Sequence, residues 1–257
     1  MRIDTFLAEK GLAKSRSFAK TLIEEGFVEV NGSIVSKASL DVSDDDVVVV
    51  TGVPYKFVGR GGIKLDTALK AFSVNVSGMI AVDIGASTGG FTHCLILNGA
   101  KKVYAVDIGH GQLDTSLTSD ERVINMEGIN ARYLTSDQLG EKCDIAVSDI
   151  SFISQTYVIP QINDLLKEDG IYIALIKPQF ECGKQNLGKN GIVKNKKVIF
   201  DSVSKVIKCV TDNGIGVLSL IVSPIEGGDG NTEFLMLCKK GEKTAIDQKF
   251  VSGVCGL

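Results

Sequence analysis

The stretch Asp83-Ile84-Gly85-Ala86-Ser87-Thr88-Gly89-Gly90-Phe91 decides the fold of this chain. An apolar run at residues 79–82 precedes it, and a helix-compatible run at residues 91–97 follows it. This order predicts a strand, a glycine turn and the first turn of a helix. Glycines at such a turn let a ligand approach the backbone closely, and the N–H groups of a helix start attract anionic or polar ligand groups.

The spacing of the glycines distinguishes between possible ligands. A dinucleotide fingerprint needs Gly-x-Gly-x-x-Gly, and a phosphate-binding loop needs Lys directly after its last glycine. Here Ala86-Ser87 follows Gly85, and Phe91 stands where that lysine would be. The remaining pattern, acidic-x-Gly-x-x-x-Gly-Gly, resembles the first motif of the Rossmann-like S-adenosylmethionine methyltransferases. The alternative interpretation is an ordinary strand–helix turn with spare glycines.

The next predicted strand indicates a cofactor that contains adenosine. It runs from Lys102 to Asp107 and places the Asp107 carboxylate at its carboxyl end. An acidic residue about 20 positions past the glycine turn is placed to bind ribose hydroxyls. NAD and S-adenosylmethionine both contain such a ribose, so Asp107 does not choose between them, whereas the glycine spacing favours the methyl donor.

Composition limits the class of protein. The chain has 257 residues, of which 44% are hydrophobic and 23% charged, and this predicts one or two globular domains. The net charge of −3 excludes a wholly basic nucleic-acid binder. Two stretches are nevertheless locally basic: residues 10–20 contain no acid, and residues 182–208 contain seven lysines and one aspartate. We interpret both as candidate polyanion surfaces, with solvated charged faces as the alternative.

Cysteine usage and hydropathy predict a soluble cytoplasmic protein. The six cysteines form no Cys-x-x-Cys pair and lie in or beside apolar stretches, which predicts buried free thiols in a reducing compartment. With two histidines in the chain, no metal site is predicted. No apolar run reaches the length of a membrane span, and the first residues lack the apolar segment of a signal peptide. We therefore expect no stable membrane association, and the oligomeric state stays open.

Residues 1–52 are predicted to form a small α+β domain. Helices are expected from Arg2 to Lys10 and after Ser15 or Ser17, followed by a hairpin at Asn31-Gly32 and a last strand at residues 47–50. The phrases Arg2-Ile3-Asp4, Gly11-Leu12-Ala13-Lys14-Ser15-Arg16 and Val30-Asn31-Gly32 resemble those of an S4 RNA-binding domain. The alternative is a dimerisation cap with an incidental basic helix. Residues 53–58 are predicted as a linker because Pro54 disfavours a helix.

Residues 59–257 alternate between predicted strands and helices. A helix is expected from Ile63 to Phe72. The strands are expected near residues 79–84, 103–108, 123–126, 143–148, 171–177, 217–223 and 233–238, with helices near 89–98, 112–117, 155–167 and 195–212. Such alternation predicts the α/β class, a doubly wound Rossmann-like sheet with helices on both faces. Its ligand site should lie at the carboxyl ends of the strands.

Four charged residues stand at positions where a solvated charge is unexpected. Lys64 lies in a first helical turn after Arg60-Gly61-Gly62, Asp149 and Lys177 end two strands, and Glu233 opens the last strand. Glu233 reaches the same edge only if that strand runs antiparallel. Two lysines between two carboxylates suit the methylation of a hydroxyl, since a desolvated lysine can accept the proton that the hydroxyl loses. Structural ion pairs are the alternative.

Lys64, Asp149, Lys177 and Glu233 match the Lys-Asp-Lys-Glu tetrad of the FtsJ-like ribose 2′-O-methyltransferases. The phrases Val106-Asp107-Ile108-Gly109-His110-Gly111-Gln112-Leu113, Ser148-Asp149-Ile150-Ser151-Phe152-Ile153-Ser154, Ile176-Lys177-Pro178-Gln179-Phe180-Glu181 and Gly230-Asn231-Thr232-Glu233-Phe234 resemble the TlyA family, often labelled hemolysin A. The resemblance extends over essentially the whole chain. It implies methylation of cytidine 2′-hydroxyls in ribosomal RNA, with S-adenosylmethionine as cofactor and ribosomal subunits as partners. Family members act on the large subunit alone or on both, and a start close to the S4 helix favours the former.

Within this resemblance we assign roles to individual residues. The tetrad is assigned to catalysis. The candidate cofactor-binding residues are Asp83, Gly85, Ser87, Thr88, Gly89, Gly90, Phe91, Asp107, Asn130 and Asp149. The candidate RNA-binding residues are Arg2, Lys14, Arg16, Lys20, Arg60, Lys184 and Lys189.

Three other functions compete with this interpretation. The hemolysin label suggests a membrane-lysing toxin, but no predicted segment spans a bilayer. A non-catalytic RNA-binding factor for ribosome assembly would not need an intact tetrad. A methyltransferase of small molecules would not need a basic domain at its amino terminus.

Overall fold

A computed structural model describes residues 1–13, 15–52, 56–228 and 230–257. Lys14, the linker residues 53–55 and Asp229 lie outside the described residues. The chain divides into two compact units, Met1–Lys56 and Phe57–Leu257. The division falls within the segment predicted as a linker.

The first unit contains two helices and a small antiparallel sheet. The helices are α1 (Ile3–Glu9) and α2 (Arg16–Glu24), and the strands are β1 (Val28–Val30), β2 (Ser33–Ile34) and β3 (Val48–Val50), in the order β2-β1-β3. Ser15 rather than Ser17 caps α2, because its hydroxyl accepts a hydrogen bond from the N–H of Phe18 at 3.1 Å. Asn31 and Gly32 both have positive φ, so they form the tight turn that the sequence predicts.

The second unit is built on a seven-stranded sheet within the described residues. Its strands are β4 (Ile80–Ile84), β5 (Lys102–Asp107), β6 (Val123–Glu127), β7 (Cys143–Ser148), β8 (Leu166–Ile176), β9 (Ile215–Val222) and β10 (Phe234–Lys240). Their order is β6-β5-β4-β7-β8-β10-β9. The first five strands are parallel, whereas β10 is antiparallel to both of its neighbours. The predicted α/β class is confirmed.

Helices cover both faces of this sheet. They are α3 (Gly61–Ala71), α4 (Gly90–Leu97), α5 (Thr115–Thr118), α6 (Ser136–Leu139), α7 (Ile159–Leu165), α8 (Pro178–Glu181), α9 (Lys196–Asp212) and α10 (Gln248–Val254). Successive strand residues point to opposite faces, and β8 shows this alternation. Tyr172, Ala174 and Ile176 belong to the core under α7, α9 and α10. Ile173 and Leu175 belong to the core under α3 and α4.

Strand order places the glycine turn at the centre of the sheet edge formed by the carboxyl ends of the parallel strands, which we call the ligand edge. The chain leaves β4 toward β5 on one side, and β7 continues the sheet on the other side. This reversal creates a crevice beyond the carboxyl ends of β4 and β7, the usual ligand position in such sheets. The turn after β4 and Asp149 after β7 both lie there.

Close approach between α3 and the glycine turn requires glycine. A Cβ on Gly90 would lie 3.0 Å from the backbone N of Gly62 and 3.2 Å from the Cα of Gly61. The helix predicted from Ile63 therefore begins at Gly61, two residues earlier, with its first turn against α4. This contact carries the next residues of α3, including Lys64, toward the ligand edge.

Strand β8 differs from its prediction. The sequence predicts a helix at residues 155–167 and a strand from 171, whereas α7 ends at Leu165 and β8 begins at Leu166. Cys143 pairs with Leu166 but Ile145 pairs with Ile171, so a bulge interrupts the ladder. Asp169 has a φ of 61° within it. The polar sequence of a bulge looks like a loop, and only the strand alongside identifies it as part of the sheet.

The cysteines are free, as predicted, but they are not uniformly buried. Cys182 and Cys209 are partly exposed, and the other four are buried. Cys182 follows the end of α8, and Cys209 lies on α9, which is amphipathic and keeps one side in water. Burial raises the pKa of Cys143 to about 12, so this thiol stays protonated.

Candidate active site

The sheet directs three of the four tetrad side chains to one face. Asp149 follows β7 and Lys177 follows β8, and both continue the alternation of Val147 and Leu175, which lie in the core under α3 and α4. Phe234 pairs with Ile176, so Glu233 stands opposite Lys177, one residue beyond the last pair. The antiparallel direction of β10 therefore meets the condition that the sequence sets for Glu233.

The four tetrad residues form two ion pairs. Lys64 Nζ on α3 donates a hydrogen bond to Glu233 Oε2 at 2.5 Å, and both side chains are buried. Lys177 Nζ lies 2.5 Å from Asp149 Oδ1. We describe the contact as an ion pair. Lys177 Nζ also donates a hydrogen bond to Ser151 Oγ at 2.9 Å.

Two adjoining cavities open at this edge. The larger has a volume of about 620 Å³ and lies over the ends of β4, β5 and β7. Five of the predicted cofactor-binding residues line it: Gly85, Ser87, Asp107, Asn130 and Asp149. The smaller cavity, of about 160 Å³, is lined by Thr88, Gly90, Phe91, Asp149 and Lys177 among others. Gly85, Ser87, Asp149 and Ser151 line both cavities, so the lysine–aspartate pair lies where they meet.

Carboxylates fix the loops that border the larger cavity. Asp107 accepts hydrogen bonds from the backbone N–H of Ser87 at 2.8 Å and of Gly109 at 2.7 Å. Glu127 at the end of β6 accepts hydrogen bonds from the backbone N–H of Gly111, Gln112 and Leu113. These bonds to the charged form lower the pKa of Glu127 to about 2. Glu127 is not among the residues predicted from the sequence, because its role depends on a loop distant in the chain.

Two predicted cofactor-binding residues do not line either cavity. Asp83 is fully buried beneath the glycine turn, where Oδ2 accepts a hydrogen bond from Thr92 Oγ1 at 2.7 Å, and Oδ1 has no hydrogen-bond partner among the described residues. Burial raises the pKa of Asp83 to about 7, against the opposing effect of Thr92. A Cβ on Gly89 would lie 2.2 Å from Leu117, so this glycine serves packing. Both residues support the turn from below.

Further residues at the cavities were missing from the predicted set. Ser151, Phe152, Gln112 and Arg132 line the larger cavity. Phe152 is 89% exposed and has a φ of 68°, an unusual backbone conformation for an aromatic residue. Its ring lies 5.4 Å from that of Phe180. An apolar residue in a sequence is expected to be buried, so the sequence alone does not indicate that Phe152 is exposed.

Two of the predicted RNA-binding residues of the first unit, Arg2 and Arg16, contact the buried acid Asp4. Arg2 donates hydrogen bonds to both carboxylate oxygens of Asp4, and Arg16 Nε donates to Oδ2 at 3.0 Å. The hydrogen bonds from Arg2 and Arg16 lower the pKa of Asp4 to about 2. Lys20 is exposed, and Nζ lies 3.9 Å from Glu24. Lys14 lies outside the described residues.

The predicted RNA-binding residues of the second unit are exposed. Arg60 precedes α3, and Lys184 and Lys189 lie in short 3₁₀ turns between α8 and α9. The loop with Lys189 is held by buried Asn231, which accepts from the N–H of Val193 and donates to the carbonyl of Gly191. Within the parts of the chain that the structure describes, we find no helix of the length and hydropathy of a membrane span.

Comparison with known proteins yields two family matches. A profile of FtsJ-like methyltransferases matches residues 57–240, and a profile of the S4 domain matches residues 1–48. Hemolysin A of Brachyspira hyodysenteriae is 40% identical over 91% of this chain and 98% of its own length. The 16S/23S rRNA (cytidine-2′-O)-methyltransferase TlyA of Mycobacterium tuberculosis H37Rv is 39% identical over 96% of this chain and 93% of its own length. A solved protein of Streptococcus thermophilus has a TM-score of 0.80 at 38% identity and covers 100% of this chain and 94% of its own.

Proposed function

The chain belongs to the TlyA family of FtsJ-like methyltransferases, and we propose that it methylates the 2′-hydroxyl of cytidine in ribosomal RNA with S-adenosylmethionine. The observation that carries the proposal is the lysine–aspartate pair where the two cavities meet. One cavity offers room for a nucleoside cofactor, and the other gives a hydroxyl access to the Lys177 amine.

The larger cavity fits S-adenosylmethionine. Its volume of about 620 Å³ lies within the usual range of small-molecule sites, about 300–1,000 Å³. Apolar side chains from β4, β5 and the loop after β7 line it for an adenine ring, and Asp107 stands at its polar part. Each Asp107 oxygen accepts one backbone N–H and has a second lone pair for a ribose hydroxyl. Gly85, Ser87 and Asp149 would hold the amino-acid end.

When bound, S-adenosylmethionine supplies an electrophilic methyl group on a sulfonium, so catalysis by the protein consists of positioning and proton removal. In-line positioning of the hydroxyl supplies much of the rate. Lys177 Nζ accepts the hydroxyl proton as a neutral amine, and the ammonium that forms is held by Asp149 and Ser151. The ion pair in the structure corresponds to that charged state.

Lys64 and Glu233 serve a different purpose from Lys177. Their pair is buried, and neither residue lines the cavities. A buried pair of this kind fixes local geometry because breaking it leaves an uncompensated charge. We assign Lys64 to holding Glu233, which borders Lys177 on the neighbouring strand.

Ribosomal RNA as substrate accounts for the basic and aromatic residues outside the cavities. The S4 match covers residues 1–48, and Arg2, Arg16 and Lys20 have partly exposed side chains there. Phosphate contacts of such residues position an RNA but do not read its sequence. Exposed Phe152 at the larger cavity is placed to stack on an unpaired base. With ribosomes as partners, the place of action is the cytoplasm. One relative is named hemolysin A, but the ion pairs of the tetrad support methyl transfer.

The test uses ribosomal subunits from a strain that lacks the gene. Purified protein and S-adenosylmethionine with a radioactive methyl group are incubated with each subunit separately, and modified positions are mapped by resistance to alkaline cleavage, which a 2′-O-methyl group blocks. We expect labelled cytidine in at least one subunit RNA. Label on a base, on protein or on neither RNA contradicts the proposal, and the two subunits in parallel decide the subunit specificity.

A further inference from the structure

A cluster of buried polar side chains lies on the opposite face of the sheet from the tetrad. We call it the buried network and define it as Ser148, Ser154, Gln155, Tyr172 and Glu181. Each of these residues is at most 7% exposed. Burial of so many polar groups is unfavourable unless all of them are hydrogen-bonded, and none of them touches either cavity.

Glu181 joins the segments that follow the two catalytic residues. It ends α8, the helix that begins directly after Lys177. Its Oε1 accepts a hydrogen bond from the backbone N–H of Gln155 at 2.7 Å, and its Oε2 accepts one from Ser154 Oγ. Ser154 and Gln155 lie in the segment that follows Asp149. One carboxylate thus ties the chain after Asp149 to the chain after Lys177.

The side chain of Gln155 continues the connection to the strands themselves. Its Nε2 donates to the carbonyl of Leu175 at 2.9 Å, two residues before Lys177. Its Oε1 lies 3.1 Å from Ser148 Oγ, directly before Asp149, and 3.2 Å from Tyr172 Oη on β8. Ser148 and Tyr172 are also 2.8 Å apart. The two hydroxyl protons of Ser148 and Tyr172 are shared among these three contacts, so the three side chains form one hydrogen-bonded group.

Among the described residues, Lys205 on α9 forms the ion pair with Glu181, with its Nζ 3.7 Å from Oε2. Burial raises the pKa of Glu181, while Ser154, Gln155 and Lys205 oppose this. Lys205 also donates to the Glu181 carbonyl at 3.3 Å. The network therefore connects β7, β8, α8 and α9 at one point beneath the lysine–aspartate pair.

We propose that Glu181 is a positioning residue for the proposed methyl transfer: through Gln155 and Ser154 it holds the ends of β7 and β8 at the separation at which Lys177 contacts Asp149. The inference rests on the proposed function for its kinetic part. A displacement of about 1 Å at a reacting group can cost roughly 10²-fold in rate, so loss of this tie should act on the chemical step more than on ligand affinity.

The experiment combines kinetics with a measurement that does not need activity. Glu181→Ala, Glu181→Gln and the exposed-surface control Glu121→Ala are compared with the wild type. Initial rates on ribosomal subunits give kcat and KM for S-adenosylmethionine. Acetylation of lysines by an amine-reactive ester, followed by mass spectrometry, gives the labelling rate of Lys177 relative to exposed Lys243.

We expect Glu181→Ala to lower kcat by about 10- to 100-fold with KM within about threefold, and to raise the relative labelling rate of Lys177. Glu181→Gln should recover most of kcat, because its amide oxygen still accepts the Gln155 N–H. The proposal is overturned if Glu181→Ala keeps the wild-type kcat, or if its KM rises by as large a factor as kcat falls. It is also overturned if kcat falls while the labelling rate of Lys177 stays unchanged.

Two further outcomes are distinguishable. If Glu181→Ala does not fold, Ser154→Ala removes a single hydrogen bond to the same carboxylate and should shift kcat and Lys177 labelling in the same directions by less; no shift in either overturns the inference. If the wild type transfers no methyl group to RNA, the proposed function fails, while the labelling of Lys177 in the variants still decides whether Glu181 positions it.

Discussion

Lys177 is the residue whose replacement distinguishes a catalytic pair from a structural one. We expect Lys177→Ala to lower kcat by at least the roughly 10²–10⁴-fold typical of a general base, while the affinities for S-adenosylmethionine and RNA stay within a few-fold. Lys177→Arg should fail as well, since a guanidinium stays protonated and cannot accept the proton. The measurement is methyl transfer to ribosomal subunits, with exposed Lys243→Ala as the matched control.

Each alternative for Lys177 has its own outcome. If Lys177→Arg retains most of the activity, Lys177 acts as a fixed positive charge and another group accepts the proton. If Lys177→Ala is fully active, the pair with Asp149 is structural and the proposed mechanism is wrong.

Asp107 should contribute to cofactor affinity. Asp107→Ala removes the proposed ribose acceptor, and a hydrogen bond to a charged group is worth about 1.5–3 kcal/mol. The substitution also frees the N–H groups of Ser87 and Gly109, so the loss should lie at the upper end of that range. Asp107→Asn keeps one acceptor oxygen, so its affinity for S-adenosylmethionine should lie between those of the wild type and Asp107→Ala. Calorimetry with S-adenosylmethionine measures the effect, and NAD serves as the ligand that should not bind.

A different result would redirect the cofactor assignment. Unchanged affinity in Asp107→Ala would mean that the ribose lies elsewhere in the larger cavity. Binding of NAD to the wild type would contradict the interpretation of the glycine spacing.

Asp83 should make stability depend on pH. Its folded pKa is about 7, against an ordinary value of 3.8. Between these values the folded chain holds a proton that the unfolded chain has released, so stability falls as pH rises through this window and levels off above about 7. The slope from this group is at most about 1.4 kcal/mol per pH unit. Asp83→Asn cannot ionise, and its free energy of unfolding should rise relative to the wild type between pH 5 and pH 8.

Denaturant unfolding at pH 5, 6.5 and 8 measures this difference. Asp201→Asn, at an exposed position of α9, is the control and should follow the wild type at each pH. Parallel profiles for Asp83→Asn and the wild type would show that Asp83 is ionised in the fold throughout the range.

At the scale of the elements, α2 has a structural role and a proposed RNA-binding role. Arg16 bonds buried Asp4 from this helix, whereas Lys20 has only a weak partner in Glu24. We expect the combined replacement of Lys14, Arg16 and Lys20 by Ala to weaken RNA binding and to flatten its salt dependence, because fewer counterions are released. Affinity for S-adenosylmethionine should not change. Filter binding to subunit RNA at several salt concentrations gives the slope.

The contribution of Arg16 to folding needs its own control. Without Arg16, the buried Asp4 carboxylate keeps its hydrogen bonds from Arg2 but loses the one from α2. Because this loss can destabilise the fold, thermal unfolding of the variants is measured together with RNA binding. Lys20→Ala isolates an exposed charge, and exposed Lys37→Ala should leave the slope unchanged. A salt slope equal to that of the wild type in the triple variant would mean that α2 does not contact phosphates.

At the scale of the whole molecule, each unit has an apolar core of its own. Residues of the first unit form one cluster around Leu7 and Leu22, and the second unit has one cluster on each face of its sheet. We therefore expect residues 57–257 to fold alone and to bind S-adenosylmethionine within a few-fold of the full chain, but to bind RNA more weakly. Calorimetry and filter binding measure the two affinities, with the full chain as reference. Loss of cofactor binding in the fragment would show that the first unit is needed for the larger cavity.

The sequence by itself determined most of the strands and helices and the kind of chemistry. Glycine spacing at residues 83–91 indicated a methyl donor, and the alternation of strands and helices predicted the sheet that is confirmed. The charges at the carboxyl ends of two strands, neighbours in the expected sheet order, placed Asp149 and Lys177 at one crevice. These features are local, since propensity, periodicity and turn chemistry act over a few residues.

Only the tertiary structure decided which groups meet and which are buried. The antiparallel direction of β10 brings Glu233 to the site, and the strand alongside β8 turns residues 167–170 into a bulge. Asp83 belongs to the motif but lies beneath the turn, whereas apolar Phe152 is exposed. Glu181 meets Gln155 across the end of the sheet. Contacts between residues far apart in the chain depend on strand order and on the space between packed helices, and no local pattern in the sequence specifies them.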